Sequence, residues 1–220
     1  MAYKARLTPN GVTAISGIFS FSAIIVIACV SPSWLSGVAI CLGLVLGYVF
    51  DSADGQLARL RGGGSPSGEW LDHMVDATKI SSLHLAVLIG FYRFGEWPGD
   101  AWLLVPIGYT IVASVMFFGL TLIDQLRRQH RDPLEPVVPR EPTLLRSLIV
   151  LPTDYGLLCL SFAIFGWREG FTTLYTLFFA GNVLFLLLAL GKWYRETRAL
   201  GRAGAPISNA DIQSLGGNEK

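Results

Sequence analysis

Charge is what this sequence has least of. Only 15% of its 220 residues are Asp, Glu, Lys or Arg, where a soluble domain carries about 25%. That shortage excludes an ordinary water-facing surface over most of the chain. Cysteine is scarce too. Cys29, Cys41 and Cys159 all fall in apolar stretches, and an odd number so placed argues for packing rather than a disulfide framework. The net charge of +1 gives no electrostatic reason to expect nucleic acid as a partner. There is no internal repeat and no sign of a second domain. The first apolar run follows Thr8-Pro9-Asn10 without a clear cleavage site, so it reads as a mature helix rather than a signal peptide.

What the chain has instead is long apolar runs. Residues 7–50, 101–123 and 171–191 contain no charged side chain in any of the three stretches. About 20 apolar residues suffice for a helix to cross a bilayer, and lipid leaves helices and closed barrels as the only spanning structures. These runs are too long and too uniformly apolar for barrel strands. The pattern predicts an all-α integral membrane protein with six transmembrane helices around a polar cavity. They fall roughly at 12–30, 34–60, 68–92, 101–123, within 144–165 with a kink near Pro152, and at 171–191. Gly- and Pro-rich segments at 31–33, 62–67 and 127–142 read as loops. Residues 1–202 form a single membrane domain in this reading, and the polar, Gly-rich stretch 203–220 is expected to be a disordered tail.

Six spans put both termini on one side. That side collects 14 of the 17 Lys and Arg residues, against Arg93 and Arg168 opposite and Lys79 inside a helix. Lys and Arg concentrate on cytoplasmic loops, so both termini and the loop joining the second and third helices are predicted to be cytoplasmic. The cavity should open on that side.

The chemistry-bearing stretch flanks that loop. Asp51 and Asp54 lie at i and i+3, with Gly55 and Ala58 on the same helix face. Gly68, Asp72 and Asp76 follow at i, i+4 and i+8 on the next helix. A short glycine loop makes the two helices antiparallel neighbours, so four carboxylates can converge. Bare ionised carboxylates would repel one another there. Hard oxygen donors select Mg, Mn or Ca, and two such ions could clamp a diphosphate. The small residues leave room beside the acids, and Arg59 at the lip can grip phosphate. The bland alternative is cap and surface charges of a membrane hairpin, and carboxylates are rare enough inside membrane helices to disfavour it.

These residues resemble the signature of the CDP-alcohol phosphotransferases, D-x2-D-G-x2-A-R-x8-G-x3-D-x3-D. Asp51, Asp54, Gly55, Ala58, Arg59, Gly68, Asp72 and Asp76 fill every fixed position. Thr8-Pro9-Asn10-Gly11-Val12-Thr13 is similar to the family's amino-terminal T-P-N-x-x-T segment. The resemblance implies that Asp51, Asp54, Asp72 and Asp76 ligate two divalent cations, Mg or Mn. It implies that Asp76 deprotonates an acceptor hydroxyl, that Gly55, Ala58 and Gly68 line the cytidine site, and that Arg59 with Asn10 and Thr13 holds the nucleotide. The expected activity is transfer of a phosphoalcohol from a CDP-alcohol donor to a lipid or small-alcohol acceptor, releasing CMP, in phospholipid synthesis. A lateral gap between helices would admit a membrane lipid, and a homodimer is consistent with the resemblance.

The run Gly68-Glu69-x-x-Asp72-His73-x-x-Asp76 also resembles a variant of the choline and ethanolamine branch, in which a Glu–His pair acts on the acceptor. Glu69 and His73 are four apart and can touch, and an imidazole oriented by a carboxylate is a reasonable base. The other reading is that His73 merely packs beside the site. The variant leans towards a soluble CDP-alcohol donor. The alternative within the family is a CDP-diacylglycerol-dependent phosphatidyltransferase acting on a soluble alcohol. An alternative of another class is a divalent-cation transporter, disfavoured because the carboxylates cluster at one face and the fourth and sixth helices carry none.

Other polar residues have bland readings at least as good. Lys79 lies one turn beyond Asp76 and reads first as its counter-charge, with substrate phosphate as the alternative. Asp154 is either a helix cap or, with Tyr155, a reader of the alcohol group. Arg140 and Arg146 read as interfacial anchors more readily than as phosphate ligands. His84 reads as a hydrogen-bonded core residue, and Trp34, Trp97, Trp102, Trp167 and Trp193 as an interfacial belt.

Overall fold

A computed structural model describes residues 8–60, 63–95, 99–130 and 153–203. Among the described residues every regular element is helical, as the apolar runs require. Helix α1 is Pro9–Cys29, α2 Trp34–Leu60, α3 Pro66–Phe94, α4 Leu104–Gln129, α5 Tyr155–Ser161 and α6 Arg168–Ala203. Single 3-10 turns, Asp100–Leu103 and Phe162–Ile164, precede α4 and follow α5.

The starts are written locally. Thr8 accepts a hydrogen bond from the Gly11 amide at 3.2 Å, and Ser65 accepts one from the Gly68 amide at 3.1 Å. Each is followed by proline at the first helical position, where the missing N–H costs nothing. Ser33 and Ser36 cap α2 reciprocally, each hydroxyl accepting the other's amide, at 2.9 and 3.1 Å. Helix α3 ends at Gly95, whose φ of 68° is the left-handed conformation that glycine adopts freely.

Among the described residues five helices are long and apolar enough to cross a membrane, and Tyr155–Ile164 is a shorter apolar helical stretch. The expected helix within 144–165 is therefore seen only in its second half. Pro152 and the residues just before it lie outside the described residues, as do Arg140, Arg146 and residues 204–220 of the expected tail, whose first residue, Ala203, still belongs to α6. Two boundaries differ from expectation by more than three residues. Helix α4 continues through Arg127 and Arg128, which the loop reading placed beyond its end, and α6 runs well past residue 191. Both extensions are polar, and the two helices brace each other there: Arg127 donates to Glu196 through Nε at 2.6 Å and Nη2 at 2.9 Å. Apolar runs mark where helices sit in lipid, not where they stop.

Close approach of α1 to its neighbours sets the position of the acidic residues. A Cβ on Gly47 of α2 would collide with the Ser20 hydroxyl, and one on Gly90 of α3 with the Ile27 carbonyl. Small residues at such crossings let backbones touch, the usual way helices associate in lipid. A Cβ on Gly37 would lie 2.9 Å from the Phe162 carbonyl, which seats the 3-10 turn after α5 on α2. Apolar side chains point outward, Leu35 being 83% exposed, as a lipid-facing surface demands. The interior between α3, α4 and α6 is aromatic. His84 stacks on Tyr109 at 3.8 Å between ring centres and shares a 2.7 Å hydrogen bond with the Tyr175 hydroxyl. It is a satisfied core histidine.

Candidate active site

The four aspartates come from the last turns of α2 and the early turns of α3, held against α1. On α1, the Thr13 hydroxyl donates to Asp54 Oδ2 at 2.6 Å. One turn on, Ser16 donates to the Gly47 carbonyl at 2.8 Å, and its oxygen lies 3.3 Å from Asp51 Oδ1. Thr13 and Asp54 are both buried, so α1 fixes the acidic face of α2 through paired polar groups.

From α3, Lys79 reaches back to the same place. Its ammonium donates to Asp51 Oδ1 at 2.5 Å and stands 2.6 Å from Asp76 Oδ1. The lysine side chain is only 5% exposed. Asp51, Asp72 and Asp76 each offer a carboxylate oxygen within 4.8 Å of the other two. Asp54 is not part of that triplet; it lies deeper, spent on Thr13. Among the described residues, Asp72 Oδ1 is buried with no hydrogen-bond partner. A buried carboxylate oxygen left bare is costly unless something positive meets it. Three carboxylates at this spacing, one of them with an orphaned oxygen, fit a hard divalent cation.

The lip carries the remaining signature residues. Arg59 is exposed, and its Nε donates to the Gly55 carbonyl at 3.2 Å, so the guanidinium lies along its own helix. A Cβ on Gly55 would meet nothing nearer than that guanidinium, at 3.8 Å. Gly68 abuts Asn10, whose Oδ1 would sit 3.1 Å from an added Cβ. The amino-terminal segment and the start of α3 thus meet at the lip, and Ala58 lies across the loop, 3.9 Å from a Cβ on Gly64.

Glu69 and His73 sit on the side of α3 that faces α4. Glu69 Oε1 accepts from Arg128 Nη1 at 3.0 Å and from Gln125 Nε2 at 3.4 Å. His73 Nε2 is 3.9 Å from that oxygen, beyond hydrogen-bond reach, and its ring meets the edge of Phe117. The nearer partners of Glu69 are thus Arg128 and Gln125 on α4 rather than the imidazole. Asp154 caps α5, accepting from the Leu157 amide at 3.0 Å, and Tyr155 packs against Tyr48.

Sequence reasoning missed Ser16 and the bridging position of Lys79. Thr13, Ser16 and Ser20 are polar residues at helical spacing in an otherwise apolar run, a signal that was available. The reach of Lys79 to Asp51 depends on a helix crossing that spacing alone does not specify.

The statistical model of the CDP-alcohol phosphatidyltransferase family matches residues 6–174. The chain belongs to that family. Membership removes the cation-transporter alternative, since the family is one of transferases of phospholipid biosynthesis. An archaetidylinositol phosphate synthase from Aeropyrum pernix is 32% identical over 95 residues, which is 40% of this chain and 49% of the relative. The match thus spans about half the length of that curated relative. Two crystal structures of the Mycobacterium tuberculosis phosphatidylinositol phosphate synthase share the fold. One, with CDP-DAG bound, aligns at TM-score 0.52 and 18% identity over 88% of this chain and 89% of that one. The other, in complex with manganese and citrate, aligns at TM-score 0.54 and 20% identity over 88% and 85%.

Proposed function

We propose that this member of the CDP-alcohol phosphatidyltransferase family transfers a phosphatidyl-type group from a lipid-linked CDP donor to the hydroxyl of a water-soluble alcohol, releasing CMP. The observation that carries the metal-dependent part is the convergence of Asp51, Asp72 and Asp76 on one point, with Asp72 Oδ1 unpaired. These three, with Asp54 behind them, would hold two divalent ions. Such ions, when bound, neutralise a diphosphate and make CMP a better leaving group. Asp76 serves as the base for the acceptor hydroxyl, a role that needs a carboxylate within hydrogen-bond reach of the nucleophile. Gly55, Ala58 and Gly68 leave room for the cytidine at the lip, where Arg59 and Asn10 are placed to hold it; Thr13, expected beside them, is buried on Asp54 and acts through that carboxylate instead.

The choice of donor rests on two supports. Glu69 is paired with Arg128, which weighs against a Glu–His pair acting on the acceptor and so against a soluble CDP-amino alcohol. The structural relative crystallised with CDP-DAG shares this fold along most of both chains. The Lys and Arg distribution supports a site and termini on the cytoplasmic side.

A panel of donors tests the reading. Purified protein in lipid nanodiscs is given CDP-diacylglycerol, CDP-amino alcohols or CDP-polyols, each with soluble and lipid acceptors, in Mg, Mn or chelator. CMP release from CDP-diacylglycerol with a soluble alcohol, abolished by chelator, is expected. Release only from soluble CDP-alcohols with a lipid acceptor would reverse donor and acceptor. Release that ignores chelator would sink the metal assignment.

A further inference from the structure

Lys79 occupies a place where its charge must matter to any ion bound beside it. Its ammonium lies 2.5 Å from Asp51 and 2.6 Å from Asp76, two of the three carboxylates in the triplet. It is buried, and it comes from α3 while Asp51 comes from α2. The third member, Asp72, keeps a bare oxygen. The cluster is therefore asymmetric: one half is already met by a protein cation, the other half is not.

We propose that Lys79 is a resident counter-cation that holds Asp51 and Asp76 together in the metal-free protein and competes with a divalent ion for them. The proposal rests on the metal-dependent reading of the same site. Charge counting gives its direction. Fully ionised, Asp51, Asp54, Asp72 and Asp76 carry four negative charges, and Lys79 reduces the sum to three. One divalent ion leaves one negative charge; a second makes the site positive by one. A second ion is thus unfavourable until an anionic diphosphate arrives with it. Lys79 ties full loading of the site to the presence of the donor, which keeps the ions from settling tightly without substrate. An ammonium within 3 Å of two ligands interacts strongly even at the effective dielectric of a protein surface.

Lys79 is a positioning residue in this account, and removing its charge has two opposed effects. The metal-free protein loses the cation that offsets like-charge repulsion, while the metal meets no competitor. A merely structural lysine would give the first effect without the second.

The test uses detergent-solubilised full-length protein as wild type, Lys79→Gln and Lys79→Arg. Mn is titrated and free ion is read by electron paramagnetic resonance, with and without CDP. Thermal unfolding is followed in chelator and in Mn. Lys79→Gln is expected to unfold at lower temperature in chelator, to bind Mn on the order of tenfold more tightly without CDP, and to gain more stability from Mn than wild type does. Lys79→Arg keeps the charge and should bind Mn no more tightly than wild type. If Lys79→Gln is recovered only when Mn is present, the ion has replaced the missing charge, as expected. Equal Mn affinity in Lys79→Gln and wild type overturns the proposal, as does a Lys79→Gln protein that Mn cannot rescue. Wild type that binds no Mn under any condition counts against the metal reading itself.

Discussion

Thr13 on α1 donates a hydrogen bond to Asp54 on α2 at 2.6 Å, between two residues buried in the protein. The contact explains why a threonine stands at the end of the amino-terminal motif. It fixes one acid of the cluster from a helix that carries no charge in its span. Replacing Thr13 with Val keeps the shape and strands the carboxylate. A hydrogen bond to a charged group contributes about 1.5–3 kcal/mol, so Thr13→Val should lower unfolding stability by about that much. Thr13→Ser should recover most of it. Unfolding in detergent followed by tryptophan fluorescence measures both.

The proposed function makes Asp76 the base, with His73 as its rival. Asp76 stands in the acidic triplet, whereas His73 faces Phe117 and lies 3.9 Å from Glu69. Loss of a general base typically costs about 10²–10⁴ in rate. Asp76→Asn should fall in that range in CMP release, and His73→Ala should stay within about tenfold of wild type. A large loss in His73→Ala with an active Asp76→Asn would reverse the assignment.

The Glu69–Arg128 pair is half exposed, at 43% and 60% of the side chains. Exposed pairs contribute about 0.2–1 kcal/mol. Arg128→Ala should therefore change stability little. It should free Glu69 to approach His73, and nuclear magnetic resonance of the imidazole in a labelled protein would register that new partner. An unchanged imidazole signal would mean that Glu69 stays turned away without Arg128.

How much of this was legible in the sequence depends on what each feature rests on. Helices α1 to α3 lie within a few residues of expectation; their caps at Thr8, Ser65 and Gly95 were not anticipated, and the first two start α1 and α3 two to three residues earlier than hydropathy suggested. The convergence of Asp51, Asp72 and Asp76 follows from helical periodicity plus one short loop. By contrast, Arg128 reaching Glu69 and Lys79 reaching Asp51 join different helices. Their pairing depends on rotation and crossing of those helices, which no periodicity encodes. The polar extensions of α4 and α6 escaped notice because hydropathy sees lipid contact, and the Arg127–Glu196 pair that steadies them is again between helices.

The crossing of α1 with α3 can be tested at Gly90. Any side chain there would run into the Ile27 carbonyl, which is backbone and cannot rotate away. Overpacking costs about 1–3 kcal/mol where the structure can yield, and this site has little freedom to do so. Gly90→Val should lower stability by at least that amount, while Gly191→Val, with open space around its position, should not. Comparable unfolding temperatures for the two variants would mean that α1 and α3 are not in contact there.

The account rests on cations bound between two neighbouring helices. Crystals grown with Mn and a CDP-linked donor, with data collected at the manganese absorption edge, locate the ions directly. The expected anomalous map has peaks within about 2.6 Å of carboxylate oxygens of Asp51, Asp72 and Asp76. Peaks lying away from all three side chains, in a protein that still releases CMP, would contradict it.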